Sequence, residues 1–237
     1  MVSPLSFDML RWLDEPARAR FAAATTRRRA VAGETIYIQG DAGTEMYRIE
    51  RGSVRLSVLR RDGREVVLLF FQPGDCFGGS SLVDGGPRPQ TAQAITDVEL
   101  SVLGKTAFQA LRRTCPGFDD ALLRLLSAQL RAATAQYADS SLDSLRARVL
   151  ARILVSARSF GAAAEGGVRL TLRLSQAELA MMVGASRQHV NKALKAIEAD
   201  GLIAIEYGNI LVRDVAGIER LLDADCRGGD RVRPTMR

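Results

Sequence analysis

The sequence has few of the side chains that disulfide frameworks and metal centres need. Its 237 residues include 3 cysteines and 1 histidine. Cys76, Cys115 and Cys226 are far apart and odd in number, which argues against a disulfide framework and against a four-cysteine zinc or iron–sulfur site. His189 has no second histidine to help it bind a metal. We therefore predict no metal site. We expect three ordinary thiols, and the alternative is that Cys226 senses redox state.

Long apolar runs are also absent. No stretch approaches the ~18–20 apolar residues of a membrane helix, and the N-terminus lacks a signal-peptide pattern. Hydrophobic residues make up 47% of the chain and charged residues 25%, which is ordinary for a globular protein. We expect a cytoplasmic protein with no membrane partner, built as one large domain or two modest ones.

Motifs of catalysis are missing as well. The glycine-rich stretch "FGGSSLVDGG" (77–86) lacks the Lys-Ser/Thr ending of a P-loop and the G-x-S-x-G of a nucleophile elbow. No histidine-rich or paired-carboxylate constellation appears. We predict that the protein is not an enzyme and has no catalytic residue.

Positive charge is concentrated in the C-terminal part. The net charge is +6, and residues 145–237 carry 15 Lys/Arg against 10 Asp/Glu. A basic C-terminal part is typical of a protein that binds a polyanion, although a solvated charged face gives the same composition.

The hydrophobic period divides the chain. Residues 1–115 begin with a short helical lead-in and continue with segments in which apolar and polar positions alternate between turn signals, as in Val54, Leu56 and Val58. This pattern predicts an antiparallel, jelly-roll-like β-roll. Residues 145–225 indicate helices and a short hairpin around Tyr207-Gly208-Asn209. We expect "GAAAEGG" (161–167) to be a flexible connection and the basic tail 226–237 to be disordered, within an α+β protein.

A long helix is predicted over residues 116–144. Its apolar positions recur at intervals of 3 and 4, which is typical of a two-helix seam; they are Leu123, Leu126, Leu130, Ala133 and Tyr137. We interpret this stripe as a homodimer contact, with a helix packed on its own domain as the alternative.

A helix pair follows in "LSQAELAMMVGASRQHVNKALKAIEADGLI" (174–203). Ser175 and Glu178 form a capping-box pattern, Gly184 permits a sharp turn, and Ser186 caps the second helix. On the second helix, Val190, Leu194 and Ile197 form an inner face.

The outer face of the second helix carries long hydrogen-bonding side chains. We predict that it enters the major groove of double-stranded DNA, where Arg and Lys suit guanine and Gln and Asn suit adenine. The predicted base-reading residues are Arg187, Gln188, Asn191 and Lys192, and the predicted backbone contacts are Ser175, Ser186, His189 and Lys195. The alternatives are a solvated helical face and a DNA binder without sequence preference.

From about residue 20 to 222 the chain resembles the CRP/FNR superfamily of bacterial transcription regulators. The motifs are "GSVRLSVLRRDGREVVLLFFQPGDCFG", "DGGPRPQTAQAITDVELSVL", "RLLSAQLRA" and the helix pair. The resemblance implies a cyclic-nucleotide-type β-roll, a dimer helix, a winged helix-turn-helix, a two-fold-symmetric operator and, for an activator, contact with RNA polymerase. The cyclic AMP-binding members carry Arg, Glu and Arg where this chain has Arg187, Gln188 and Lys192, so we expect a different operator.

The resemblance places an effector pocket on residues 77–94 and on the long helix. The implied pocket residues are Gly78, Gly79, Ser80, Ser81, Arg88, Thr91 and Tyr137. Gly79 replaces a ribose-binding glutamate, Pro89 replaces a hydroxylic residue, and Tyr137-Ala138 replaces an adenine-binding hydroxylic pair. These departures argue against high-affinity cyclic AMP binding and leave two alternatives, another small ligand or no effector. An iron–sulfur sensor of this family needs a cysteine cluster near the N-terminus, and no cysteine precedes Cys76. A haem sensor needs a histidine in the roll, and the only histidine is His189. Neither kind of sensor is therefore expected.

Overall fold

The computed structural model describes residues 6–61, 63, 65–142, 144–171, 174–206 and 209–228. The chain divides into two compact units, of which the N-terminal one ends at Ala133 and the C-terminal one begins at Thr134. No helix among the described residues combines the length and apolar character needed to cross a bilayer.

The N-terminal unit contains two antiparallel sheets with strand orders β1-β8-β3-β6 and β2-β7-β4-β5. Alternation places Val54, Leu56 and Phe71 in the core, where Val54 pairs with Phe71 and Leu56 with Leu69. The strands are β1 (Thr26–Ala30), β2 (Thr35–Tyr37), β3 (Glu45–Arg51), β4 (Val54–Leu59), β5 (Glu65–Phe71), β6 (Cys76–Phe77), β7 (Thr91–Ala94) and β8 (Val98–Gly104). The predicted antiparallel roll is confirmed.

Helices flank and complete this roll. A 3-10 turn (Met9–Trp12) precedes α1 (Glu15–Ala24), and α2 (Ser80–Asp84), α3 (Lys105–Thr114) and α4 (Phe118–Leu142) follow. Phe118, Ala121, Leu122 and Leu125 on α4 are buried in the core of the roll. The boundary between the two compact units therefore falls within the α4 sequence, after the first half of the helix, which packs on the β-roll.

The N-terminal segment is attached to the roll through a buried carboxylate. Asp75 Oδ1 accepts a hydrogen bond from Phe7 N at 2.7 Å, and Oδ2 accepts one from Gln72 N at 3.0 Å. Burial raises the pKa of Asp75 to about 6. Because Phe7, Met9 and Leu13 are also buried, this lead-in belongs to the core.

The C-terminal unit is a helical cluster with one small sheet. Its helices are α5 (Leu145–Phe160), α6 (Gln176–Val183), α7 (Arg187–Ala199) and α8 (Val215–Gly228). Its strands are β9 (Gly161–Ala164), β10 (Gly167–Leu170), β11 (Ile203–Glu206) and β12 (Asn209–Val212), in the antiparallel order β11-β12-β10-β9.

Two predictions for this unit are wrong. Residues 161–167, expected to be a flexible connection, include β9 and the start of β10, because β10 pairs with both β9 and β12. A Cβ at Gly167 would lie 2.1 Å from Val212 O, so only glycine allows this close strand approach. Residues 226–228, expected to belong to the disordered tail, are instead the end of α8, which continues to Gly228. Residues 229–237, and Tyr207 and Gly208 of the expected hairpin turn, lie outside the described residues.

Candidate nucleic-acid interface and effector site

The first helix of the pair begins with the predicted capping box. Ser175 Oγ accepts a hydrogen bond from Glu178 N at 3.1 Å, and Glu178 Oε2 accepts one from Ser175 N at 2.8 Å. At the other end of α6, Gly184 adopts the left-handed conformation with φ of 63°. The cap and the turn together fix the position from which α7 starts.

The second helix separates an apolar face from a polar one. Val190, Leu194 and Ile197 are buried, which confirms the predicted inner face. The other face exposes Arg187, Gln188, His189, Lys192 and Lys195, while Asn191 is half-buried. The predicted readers therefore lie on one helix face, with Asn191 closest to the domain.

His189 is oriented by the cap of its own helix. Ser186 Oγ accepts a hydrogen bond from His189 N at 3.3 Å and lies 2.8 Å from His189 Nδ1. Which atom of this pair donates depends on the imidazole tautomer; in the tautomer with Nδ1 unprotonated, Ser186 Oγ donates to Nδ1 and the ring proton is on Nε2. That proton is a donor suited to a phosphate oxygen or a base acceptor.

Gln176, a residue that the sequence analysis did not single out, contacts the reading face. It is the first residue of α6, and its Nε2 donates to Asn191 Oδ1 on α7 at 3.3 Å. Gln176 and Arg187 also line one surface cleft of about 470 Å³. The only signal in the sequence is an amide at the start of the first helix, which is too common to identify such a residue.

The hairpin after α7 is held by contacts with α7 and with β10. Glu198 Oε1 on α7 accepts a hydrogen bond from Ile205 N on β11 at 2.8 Å. Arg169 on β10 forms an ion pair with Glu206 on β11 at 2.8 Å. These contacts hold β11 and β12 beside the reading helix, as in a wing.

In the β-roll, Arg88 is bound by the protein itself. Its side chain is almost fully buried, with 3% of the residue exposed. Nη1 donates to Gly78 O at 2.6 Å and Nη2 donates to Glu45 O at 2.7 Å. Its Cζ lies 4.3 Å from the centroid of the Tyr37 ring. Two N–H-bearing ends of the guanidinium are therefore used by backbone carbonyls.

Other implied pocket residues also bond within the protein. Ser81 Oγ donates to Pro87 O at 3.2 Å, and Thr91 Oγ1 accepts from Gln39 N at 3.0 Å. A Cβ at Gly79 would lie 3.3 Å from Met46 Sδ and 3.8 Å from Leu122 Cδ1. Gly79 is thus enclosed by apolar side chains where the family pattern has a glutamate.

The remaining implied pocket residues are Gly78, Ser80 and Tyr137. Gly78 has a φ of +79°, and a Cβ there would lie 2.8 Å from Arg88 Nη1, so glycine lets the arginine approach. Ser80, the first residue of α2, is half-buried. Tyr137 belongs to the C-terminal unit, and the side chain of Ala138 lies outside the described residues.

The aromatic rings around Arg88 form a compact cluster. Tyr47 stacks on Phe77 with centroids 5.1 Å apart, and its hydroxyl donates to Glu45 Oε2 at 2.5 Å. Burial, together with this hydrogen bond, raises the pKa of Tyr47 to about 12. Burial also raises the pKa of Tyr37. Both rings therefore act as neutral apolar walls for the guanidinium.

Thiols and metal-binding groups add no further site among the described residues. Cys76 and Cys115 are buried, and burial raises the pKa of Cys76 to about 12, which makes that thiol a poor nucleophile. Within the part of the chain that the structure covers, no group of three or more His, Cys, Asp or Glu side chains has metal-binding geometry.

The predicted seam on α4 is largely exposed in the single chain. Leu123, Leu130 and Tyr137 expose 63%, 67% and 74% of their surface, and Ala133 is also exposed. Leu126 is half-buried and packs against the core of the roll. The stripe therefore presents large apolar side chains outward, with Leu126 shared between it and the domain.

Two family comparisons cover most of the chain. Residues 27–115 match the cyclic nucleotide-binding domain, and residues 147–221 match the Crp-like helix-turn-helix domain. A CRP-like cAMP-activated global transcriptional regulator of Mycobacterium tuberculosis is 35% identical over 188 residues, covering 79% of this chain and 84% of the relative. The cyclic AMP receptor protein of Thermus thermophilus is 32% identical over 195 residues, covering 82% of this chain and 87% of the relative.

A solved structure agrees with the sequence comparisons. The c-di-GMP responsive global regulator CLP of Xanthomonas campestris has a TM-score of 0.76 and 25% identity, covering 85% of this chain and 100% of that one. Both domains, their order and their arrangement in the sequence match those of known regulators. The chain therefore belongs to the CRP/FNR superfamily of transcription regulators, with a cyclic nucleotide-binding-type β-roll and a Crp-like helix-turn-helix DNA-binding domain.

Proposed function

We propose that the protein is a homodimeric regulator that binds a two-fold-symmetric operator in a sequence-specific manner and does not require cyclic AMP. In this proposal residues 1–115 form the sensor domain, 116–144 the dimerisation helix and 145–225 the DNA-binding domain. The main support for DNA binding is the amphipathic α7, which buries Val190, Leu194 and Ile197 and exposes its Arg, Gln and Lys side chains.

Base reading is assigned to the first two turns of α7. Arg187 and Lys192 have the donors that suit guanine O6 and N7, and Gln188 and Asn191 have the amide groups that suit adenine. Ser175, Ser186, His189 and Lys195 are assigned to the DNA backbone, because they lie at helix N-termini or at the edge of the reading face.

Dimerisation is assigned to the exposed stripe of α4. Its spacing of 3 and 4 residues suits a two-helix seam, and its outward leucines would be covered by the same stripe of a second chain. A dimer with two-fold symmetry offers two reading helices to half-sites about one helical turn of DNA apart.

Independence from cyclic AMP rests on Arg88 and Gly79. Nη1 and Nη2 of the buried guanidinium already donate to Gly78 O and Glu45 O, so a nucleotide phosphate must either use the remaining N–H groups where the side chain lies or displace these hydrogen bonds. At residue 79 the chain has no side chain to bind a ribose hydroxyl. Each unpaired polar group costs about 1–3 kcal/mol, so the ligand loses affinity on several counts.

The second candidate is a regulator controlled by a different nucleotide or a small anionic ligand in the β-roll. It is favoured by the comparisons, since relatives of the same fold are described as responsive to cAMP in one case and to c-di-GMP in another. If the protein is an activator, RNA polymerase is its further partner.

Selection of binding sites from random duplexes, with and without cyclic AMP, tests the proposal. We expect enrichment of one two-fold-symmetric sequence by the purified protein alone, with affinity changed less than about threefold by micromolar cyclic AMP. A large stimulation by cyclic AMP would transfer the protein to the cyclic AMP-dependent class. Enrichment of no sequence would remove the specific-regulator proposal altogether.

Arg187→Ala is expected to weaken operator binding by about 1–3 kcal/mol and to relax the preference at one base pair of each half-site. The comparison variant is Lys195→Ala, which is exposed at the edge of the same helix face and is expected to weaken binding to all sequences alike. Competition binding against operators altered one base pair at a time measures both. Equal weakening on every sequence by Arg187→Ala would reassign that side chain to the backbone.

A further inference from the structure

The hydrogen bond between Gln176 and Asn191 joins the two helices at the reading face. Gln176 Nε2 donates to Asn191 Oδ1 at 3.3 Å, and both residues are half-buried. Asn191 is one helical turn after Arg187, on the same side of α7. A substitution of Gln176 therefore alters the reading face without changing the sequence of α7.

The contact sets the direction of the Asn191 amide. An asparagine amide has one acceptor end, Oδ1, and one donor end, Nδ2. The hydrogen bond from Gln176 occupies one of the two lone pairs of Oδ1 and orients the amide, so Nδ2 is the less engaged end. Gln176 and Arg187 line the same cleft of about 470 Å³, so the Gln176 side of this hydrogen bond lies beside open space next to the reading helix.

We propose that Gln176 is a positioning residue that makes Asn191 donate to a base acceptor in the major groove, which guanine, thymine and adenine offer and cytosine does not. This rests on the proposed function, in which Asn191 contacts a base, and it replaces the simple expectation that Asn191 pairs with adenine. A bidentate pair with adenine would require Oδ1 to accept a second hydrogen bond, from adenine N6, in addition to the one from Gln176, whereas a hydrogen bond from Nδ2 to a base acceptor has no such requirement.

Gln176→Glu tests the direction of the amide. A carboxylate of nearly the same shape can only accept, so Asn191 must turn and donate Nδ2–H to Glu, which frees Oδ1. At the base pair that Asn191 reads, cytosine on the contacted strand is expected to gain relative to guanine and thymine, because cytosine N4 can donate to the freed Oδ1 and offers no acceptor to Nδ2. We expect a change of about fivefold or more in their relative affinities. An acidic residue in the first turn of α6 favours the helix, so the variant should fold.

The charge control is Ala177→Glu, which adds a carboxylate at the next, exposed position of α6, a residue with no assigned DNA contact. Both variants add one negative charge near the phosphates and should weaken all binding to a similar extent. Only Gln176→Glu should change the preference at the Asn191 position. That position is identified beforehand as the one whose preference is lost in Asn191→Ala.

A double-variant cycle completes the experiment. Gln176→Ala should relax the preference at the same position, with no further change when Asn191 is already Ala. If Gln176→Glu weakens all sequences with the preference unchanged, Gln176 is a backbone contact and the inference is wrong. If Asn191→Ala alters no position while the wild type remains selective, the inference is wrong and the proposed function stands. A wild type without any sequence preference overturns both.

Discussion

Replacing Arg88 with methionine is expected to lower the free energy of unfolding of the N-terminal unit by about 3–5 kcal/mol. Methionine is apolar and similar in length to arginine, but it has no hydrogen-bond donor. The substitution therefore leaves Gly78 O and Glu45 O unpaired in the core. Each buried carbonyl without a partner costs about 1–3 kcal/mol, and the contact with the Tyr37 ring contributes about 0.5–2 kcal/mol more. Urea unfolding followed by fluorescence measures the effect, because the chain's 1 tryptophan, Trp12, packs against this core.

Arg29→Met is the control for this prediction. It is the same substitution in the same unit, but the Arg29 side chain is 85% exposed and pairs with Glu99 at 3.2 Å on the surface. Surface ion pairs contribute about 0–1 kcal/mol, so its unfolding midpoint should hardly change. Should Arg88→Met prove as stable as Arg29→Met and yet lose a nucleotide response of the wild type, Arg88 would be a ligand group and not a structural one.

The two roles of Arg88 are in competition. As long as its donors hold Gly78 and Glu45, the segment from β6 to α2 is tied to β3 without any ligand. An anion that moves Arg88 away from these carbonyls must supply enough binding energy to replace both hydrogen bonds. The proposed independence from cyclic AMP and the predicted loss of stability therefore have the same physical origin.

Local sequence signals were sufficient for the helix-turn-helix. The capping box of Ser175 and Glu178 and the left-handed Gly184 depend on residues three to nine positions apart, so the pattern contains all the partners. The inner face of α7 follows equally from helical spacing. The antiparallel roll was predictable because strand alternation and turn residues are also local.

Features made by distant partners were not predictable. Arg88 could be assigned to a phosphate from its motif, but its partner Glu45 lies 43 residues away on another strand. Gln176 is 15 residues from Asn191 and meets it only because the helix pair folds back. The Ala- and Gly-rich residues 161–167 have weak strand propensity, and their pairing depends on β12, some 45 residues later.

Leu130→Asp is expected to convert the proposed dimer to monomers and to weaken operator binding about 100-fold or more. In a two-helix seam the same residue of both chains lies near the symmetry axis, so the variant would bury two aspartates that repel each other and lose their hydration. Leu130 exposes 67% of its surface in the single chain, so the fold of each unit should tolerate the change. Sedimentation velocity measures the state of assembly, and binding to a full operator and to a half-site measures the effect on DNA affinity.

Ala135→Asp is the control that distinguishes a charge in the seam from a charge elsewhere on α4. Ala135 is exposed and lies five residues after Leu130, about 140° around α4, so the same charge should leave the dimer and its affinity intact. The gain of the full operator over a half-site comes from linking two reading helices, and it should disappear in Leu130→Asp alone. A Leu130→Asp protein that still sediments as a dimer would show that another surface joins the chains. A wild-type monomer that binds the full operator no better than the half-site would show that dimerisation is not the source of affinity.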